Sequence, residues 1–382
     1  MIQMGCVNII FDTSTKGHHM EYIHHLYMMA LSHSENQYIF VIPEDFNLKK
    51  GQFDWPFSHH IKFDFFSNGL IDDDDKKSSL LKRAYDKTIL LRKYIRKYRA
   101  NKVFLISLIG FIPFLPLLVS RKTKVLGIIY KIYLYEWNSY SALRKLVEVL
   151  KYQIISRSKC IDTVFILNDS SAASKLNQLY HTSKFQFLVD PYNQSTYLPR
   201  SLREDLGIPS HQKVFLHFGA LNSRKGTLTF LQAISLVPKV ELDQLTFIIA
   251  GQVFDEIKEQ FYDLVGQLKA RTHLIVYDTY SSQVFLSDLI ATCDYVVIPY
   301  GITANSSGLI AHAANNHKPV IGPASGLIGK LIRKYQLGVR LDEITAPRLA
   351  EAMVNARLYH TDSKYGQVAT IERFQQQISH LF

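Results

Sequence analysis

The sequence predicts an α/β protein of two doubly wound domains, each a parallel sheet layered with helices, facing one another across a cleft. Three observations carry this. At 382 residues the chain exceeds what one hydrophobic core ordinarily serves. Short apolar runs rich in β-branched residues recur along it, and such runs suit strands covered on both faces. Helical patterns separate the runs, and the alternation starts afresh near residue 213. The expected division is a first domain at 1–190, a linker at 191–212, a second domain at 213–360, and a terminal helix at 361–382 packing back on the first domain.

In the first half, strands are expected at Val7 to Phe11, Tyr38 to Pro43, His60 to Phe65, Lys102 to Leu108, Lys124 to Tyr130, Thr163 to Leu167 and Phe185 to Val189. The loop from Asp12 to His19 follows the first strand, and a helix with Ile23, Leu26 and Tyr27 on one face begins near Met20. This turn brings Gly17, His18 and His19 to a helix start, where a ligand is met; His24 and His25, further along, read as structural. After Asp72 to Asp75 comes a basic helix whose apolar stripe is Leu81, Ala84, Thr88, Leu91, Ile95 and Tyr98. A solvated helix packed on a sheet is its plain reading; contact of its cations with anionic lipid headgroups is the alternative. The segment 103–120 holds Pro113 and Pro116 and is short for a membrane span, so it reads as a strand and a loop. Leu143 to Ser158 reads as a basic, aromatic-rich helix.

In the second half, strands are expected at Lys213 to Gly219, Leu245 to Ala250, Leu274 to Tyr277, Tyr295 to Ile298 and Pro319 to Ile321. The stretch Tyr300 to Gly308 is a loop of small hydroxylated residues, and Leu309 to Asn316 a short helix after Ser306, Ser307 and Gly308. Strand, loop, helix and strand place that loop at the carboxyl edge of a sheet, where open α/β folds bind ligands. Helix N–H groups and the positive end of the helix dipole favour a phosphate there. The loop Asn222-Ser223-Arg224-Lys225-Gly226 lies at another strand-to-helix turn and offers a guanidinium fork, a point cation and backbone donors. Two such loops on one edge point to a diphosphate.

Totals set the wider limits. A hydrophobic fraction of 47% with 20% charged residues describes a globular chain, not a disordered one. The net charge of +11 fits an anionic partner: a nucleic acid, a membrane face or a phosphorylated small molecule. Cys6, Cys160 and Cys293 are odd in number and in no metal-ligand pattern, which suits a reducing compartment. No basic leader precedes the first strand, so no signal peptide is expected. The expected location is cytoplasmic, with a peripheral place at the inner membrane face.

The pieces His217 to Leu221, Arg224-Lys225-Gly226, Ala250-Gly251, Cys293 to Tyr300, Lys318 to Ile321 and Gly326 resemble, in order and spacing, the carboxyl half of group 1 (family 4) glycosyltransferases. The resemblance covers about 190–345, and extends weakly to Gly17-His18-His19 and Asp162 to Ser171. It implies a GT-B fold of two Rossmann-like domains, with a nucleotide-sugar held mainly by the second. It also implies that Lys225 contacts the donor diphosphate and that Ser306, Ser307, Gly308 and Leu309 supply backbone donors. Where the family has an Arg after the glycine matched by Gly219, this chain has Ala220; where it has two glutamates, this chain has Ala304 and His312. The second glutamate contacts the donor ribose, so His312 inherits that place, and Tyr277 and Tyr280 are candidates to stack on the base. Gly17, Gly219 and Asn222 complete the cleft loops.

The expected reaction passes a sugar from a nucleotide-diphosphate sugar to a hydroxyl of a glycan or lipid-linked acceptor. Arg224, Lys225 and helix N–H groups stabilise the leaving diphosphate in place of a metal ion, and no cofactor is expected. If a side-chain base takes part, His18 or His19 is the candidate. If configuration is retained, the leaving phosphate takes the proton instead. A non-catalytic nucleotide-sugar binder is the alternative, motivated by the two missing glutamates. Charge alone suggests a nucleic-acid binder, no recognition motif supports it, and nucleic acid is not an expected partner.

Overall fold

The computed structural model describes residues 5–16, 19–68, 71, 79–192, 197–279, 282–301, 303, 308–357, 361 and 364–382. The chain forms two compact units, Met1–Val189 with Ile371–Phe382, and Asp190–Thr370.

The first unit is built on a seven-stranded sheet, β1 (Val7–Phe11), β2 (Gln37–Pro43), β3 (Ile61–Phe66), β4 (Lys102–Leu105), β5 (Lys124–Ile129), β6 (Ile161–Leu167) and β7 (Phe185–Leu188). Its order is β3-β2-β1-β4-β5-β6-β7, and every pairing is parallel. Strand order therefore turns back between β1 and β4, which makes the carboxyl end of β1 the topological switch point. Its helices are α1 (His19–Leu31), α2 (Phe46–Lys49), α3 (Leu80–Tyr98), α4 (Leu115–Leu118), α5 (Ala142–Arg157) and α6 (Ser170–Tyr180).

Local chemistry sets the ends of these helices. Ser79 and Ser141 cap α3 and α5 by accepting the N–H groups of Lys82 and Arg144. α3 closes at Arg99 in the left-handed region, φ 51°. Its stripe differs from the sequence expectation at one end: Leu81 is 61% exposed, while Leu90 and Tyr94 join Leu91 and Ile95 inside. The buried side is thus set by what packs on the sheet, and the first turn of α3 contributes nothing to it. In the segment read as strand and loop, a 3₁₀ turn (Ile109–Phe111) and α4 occupy the loop part. Pro116 sits in the first turn of α4, where its missing N–H breaks no bond. The last helix, α15 (Ile371–Ser379), belongs to this unit: Gln377 bonds Phe187 O and Val189 N, both at 3.0 Å, and Phe374 packs against Tyr22.

The second unit is a six-stranded parallel sheet of β8 (Lys213–Phe218), β9 (Leu245–Ala250), β10 (His273–Tyr277), β11 (Tyr295–Val297), β12 (Val320–Pro323) and β13 (Gly338–Leu341). The order β10-β9-β8-β11-β12-β13 puts its switch point between β8 and β11. Helices α7 (Thr227–Leu236), α8 (Lys239–Leu242), α9 (Lys258–Lys269), α10 (Gln283–Thr292), α11 (Gly308–Asn315), α12 (Gly326–Lys334), α13 (Ala346–Val354) and α14 (Tyr365–Val368) surround it, and α15 (Ile371–Ser379) ends the chain. Residues 197–212 lie along this unit, where Leu202 N–H donates to Thr292 Oγ1 at 2.7 Å and Arg203 pairs with Asp294 at 2.6 Å. Among the described residues no helix is long and apolar enough to cross a membrane.

Candidate functional site

In the second unit, β8 runs into Gly219 at φ 105°, a conformation that side chains disfavour. The chain then makes one 3₁₀ turn over Ser223–Lys225, capped by the Asn222 side chain accepting Lys225 N–H at 3.0 Å. Gly226, at φ 69°, redirects the backbone into α7, and a Cβ there would collide with the Pro299 carbonyl oxygen. This close approach presses the β8 turn onto the end of β11. We expect Gly226→Ala to destabilise this unit by about 2–4 kcal/mol, the left-handed penalty plus the displaced carbonyl. Calorimetry should then show the melting temperature falling by roughly 5–15 °C, and an unchanged melting curve would refute the contact.

The Lys225 side chain crosses the switch point. Its ammonium donates to the Tyr300 hydroxyl and lies 4.2 Å from that ring's centroid. Tyr300, just past β11, is 1% exposed, so it is a fixed platform. Burial, with the neighbouring Arg224 guanidinium, lowers the Lys225 ammonium to about 7. Arg224 itself is exposed. Beneath the turn, His217 is fully buried and bonds Val297 O at 3.2 Å and Thr227 Oγ1 at 3.1 Å, tying β8, β11 and α7 together. Burial holds its pKa down to about 4, so it is neutral and structural.

The lowered Lys225 has a calculable consequence. The unfolded chain keeps this proton up to the ordinary lysine range and the folded chain loses it near 7, so folding is favoured as pH rises between them. A diphosphate bound at this ammonium would reverse the preference, because it would stabilise the charge. Affinity for a nucleotide-diphosphate sugar, whose diphosphate does not titrate here, is expected to be flat below about pH 7 and to fall above it. Titration calorimetry across that range checks this, and Lys225→Arg, charged throughout, should flatten the curve.

The helix after the second predicted loop meets the first loop. Leu309, in the opening turn of α11, places Cδ1 3.7 Å from where a Cβ on Gly219 would stand. Gly308 begins that helix; Ser306 and Ser307 lie outside the described residues. Thr303 O accepts Leu327 N–H at 2.9 Å, and a Cβ on Gly326 would strike Thr303, so Thr303 is anchored at the start of α12. One helical turn into α11, His312 is half-buried, with Tyr192 at 4.7 Å and Phe218 at 6.0 Å, both edge-on. Tyr277 is the last residue of the edge strand β10, two strands from β8, with its ring edge-on to Phe285 at 4.9 Å. The structure therefore sets Leu309 against Gly219, holds Asn222 on Lys225 within the same β8 turn, and leaves Tyr277 further along the same edge. Tyr280 lies outside the described residues.

In the first unit the switch point carries a different pair. Asp12, 2% exposed, follows β1 and accepts Thr13 N–H at 2.7 Å and Ser14 N–H at 3.3 Å through Oδ1. Its other oxygen bonds His19 Nδ1 at 2.6 Å. A carboxylate there selects the tautomer with its proton on Nδ1 and the lone pair on Nε2. The loop between them is held by Thr15, whose hydroxyl donates to Asp45 at 2.5 Å and accepts from Lys49 at 2.6 Å. Burial alone would raise the Asp45 carboxyl, but the bonds from Thr15 and Lys49 outweigh it and hold it low. Gly17 and His18 lie outside the described residues. His25 is buried in α1, which lowers its pKa to about 4, and His24 bonds Asp54 O at 3.0 Å.

Asp12, His217 and Tyr300 were not singled out by sequence reasoning. Asp12 stands immediately after the first strand and seven residues before His19, and Tyr300 immediately after the strand-ending Pro299. Both are the strand-end positions that line a switch point, which was the available signal.

Residues 200–356 match the family model described as glycosyl transferases group 1. No curated protein matches the chain in sequence. Among solved structures, the Anabaena HepE protein in complex with UDP and glucose is 15% identical, with a TM-score of 0.68 over 99% of each chain. WaaG, a glycosyltransferase of lipopolysaccharide biosynthesis, is 14% identical with a TM-score of 0.69 over 98% of this chain and 99% of that one. Sucrose-phosphate synthase from Thermosynechococcus elongatus is also 14% identical, with a TM-score of 0.69 over 99% and 98%. At these identities the likeness is one of fold. The chain thus has the GT-B fold, and its residues 200–356 match the family model of the group 1 glycosyltransferases.

Proposed function

We propose that the protein transfers a hexosyl group from a nucleotide-diphosphate sugar to a hydroxyl of a glycan or lipid-linked acceptor, in surface polysaccharide or glycolipid synthesis. The observation that carries this is the Lys225 ammonium held on Tyr300 across the second unit's switch point. A buried-side cation beside the start of α11 suits one diphosphate. HepE, of the same fold, was crystallised with UDP and glucose, and this supports a uridine nucleotide among the donors to try.

In the proposed reaction the acceptor oxygen attacks the anomeric carbon while the bond from that carbon to the phosphate oxygen breaks. The diphosphate departs with the bonding electrons, and Lys225, Arg224 and helix N–H groups take up its charge without a metal cofactor. His19 Nε2 accepts the acceptor proton, with Asp12 stabilising the resulting imidazolium. In a retaining course the leaving phosphate accepts that proton. His312 serves the donor ribose and Tyr277 the base. The protein works in the cytoplasm, peripherally at an anionic membrane face, without nucleic acid.

A thermal-shift screen of UDP-, GDP- and ADP-sugars tests the reading. A matching donor at a hundred times its Kd should add about 2.7 kcal/mol to folding and raise the melting temperature. If no nucleotide sugar shifts the melt, the donor assignment fails. Ala304 and His312, standing where the family has glutamates, favour a second reading as a binder without turnover. Calorimetric binding with no transfer to any lipid-linked acceptor would select it.

A further inference from the structure

The helices covering one face of the first unit's sheet carry apolar side chains on their outer as well as their inner sides. Inward, Leu91 and Ile95 of α3 and Tyr152 and Ile155 of α5 join one cluster with Val103 and Val164 of the sheet. Outward, Leu143, Leu146, Val147 and Leu150 of α5 are 72%, 55%, 42% and 45% exposed. Spaced by three and four, they form one stripe along a helix whose buried side is elsewhere. α3 repeats this with Leu81, Tyr85 and Ile89, all exposed, and Tyr85 meets Phe114 edge-on at 5.4 Å beside the exposed Leu117 of α4. Single exposed apolar residues need no explanation, but stripes on neighbouring helices of one layer do.

Cations border both stripes. Lys93 and Arg96 are on the exposed side of α3. On α5 the Arg144 guanidinium stacks 4.1 Å over Tyr140, and Lys145 lies 5.2 Å over Trp137, itself 36% exposed. The acids of these helices contribute little outward: Asp86 and Glu148 are half-buried, and Glu148 pairs with Lys151 at 2.8 Å. Apolar stripes edged by Lys and Arg, with a tryptophan at the margin, match the boundary of an anionic bilayer. A second copy of the chain would set cations against cations.

We infer that the outer face of α3, α4 and α5 lies on an anionic lipid bilayer, with the leucines entering the headgroup boundary and the cations meeting lipid phosphates. This deepens the membrane part of the reading above by naming the surface, which extends beyond the basic helix α3 to α5. It stands apart from sugar transfer, and its test uses no donor.

The test is co-sedimentation of the full chain with vesicles of phosphatidylcholine alone and of phosphatidylcholine mixed with phosphatidylglycerol. Partitioning is expected to be on the order of tenfold or more higher with the anionic lipid, and weakened by salt. Leu146→Glu with Leu150→Glu, and separately Lys93→Glu with Arg96→Glu, should each lose on the order of tenfold or more. The same change at Leu236 and Val240, exposed on the second unit, should lose nothing. Because all these positions are exposed, unchanged melting curves identify the losses as surface effects. Equal binding to both vesicle types, or full binding by both double variants, overturns the inference. So does light scattering that finds a dimer which Leu146→Glu with Leu150→Glu disperses.

Discussion

Lys225→Ala is expected to lower kcat/KM for sugar transfer by about 10²–10³-fold, the loss typical of removing one preorganised group that meets developing charge. Place matters here more than charge alone. Arg224 is exposed and keeps most of its interaction with water, whereas Lys225 is held against a buried ring and has already shed much of its hydration. A diphosphate meeting it therefore displaces little water and regains a full ion pair. Alanine also removes the cover over Tyr300, so a loss of packing must be separated from a loss of charge. Lys225→Met keeps most of the stem and should show the same kinetic loss with a smaller drop in melting temperature. Arg224→Ala, on an exposed and flexible side chain, should cost less than Lys225→Ala. Full activity in Lys225→Ala would remove this residue from the site.

His19→Ala is the second large effect, a fall of about 10²–10⁴ in kcat if it acts as general base, with little change in donor affinity. Asp12 separates this role from a structural one. Asp12→Asn keeps the shape and an acceptor oxygen for Thr13 and Ser14, but turns an amide NH2 donor to His19 Nδ1, which selects the tautomer protonated on Nε2 and stabilises no imidazolium. It should lower kcat about as far as His19→Ala, move the acidic limb of the pH–rate profile to lower pH, and leave the melting curve nearly unchanged. A retaining course, with the phosphate as base, predicts instead that both variants turn over almost as the parent does.

The fold was legible because strands of a parallel sheet read as apolar runs: twelve of the thirteen strands among the described residues fall where such runs stand, whereas β13, partly exposed and carrying Arg340, has no such run and was not expected. Their order was less accessible. Nothing in the run from Val7 to Phe11 says that the chain later returns to place β4 beside it, and that return makes Asp12 a switch-point residue. The same holds for Tyr300, which reads as a loop tyrosine until β11 pairs with β8. Lys225 was visible through its place at a strand-to-helix turn, but the ring beneath it, 75 residues away, was not. The α3 stripe erred at Leu81 because helical periodicity marks a face and not how far the sheet beneath it extends. Tyr277 was visible as a strand-end residue, but its place on the edge strand β10 was not.

The central claim is that Lys225 and the start of α11 grip one diphosphate. The most direct measurement is a structure of the protein with a nucleotide-diphosphate sugar bound, read at the Lys225 ammonium. The account predicts a phosphate oxygen within about 2.7–2.9 Å of that nitrogen, the range of a charge-assisted bond. A diphosphate seated elsewhere, with Lys225 still turned to Tyr300, would contradict it.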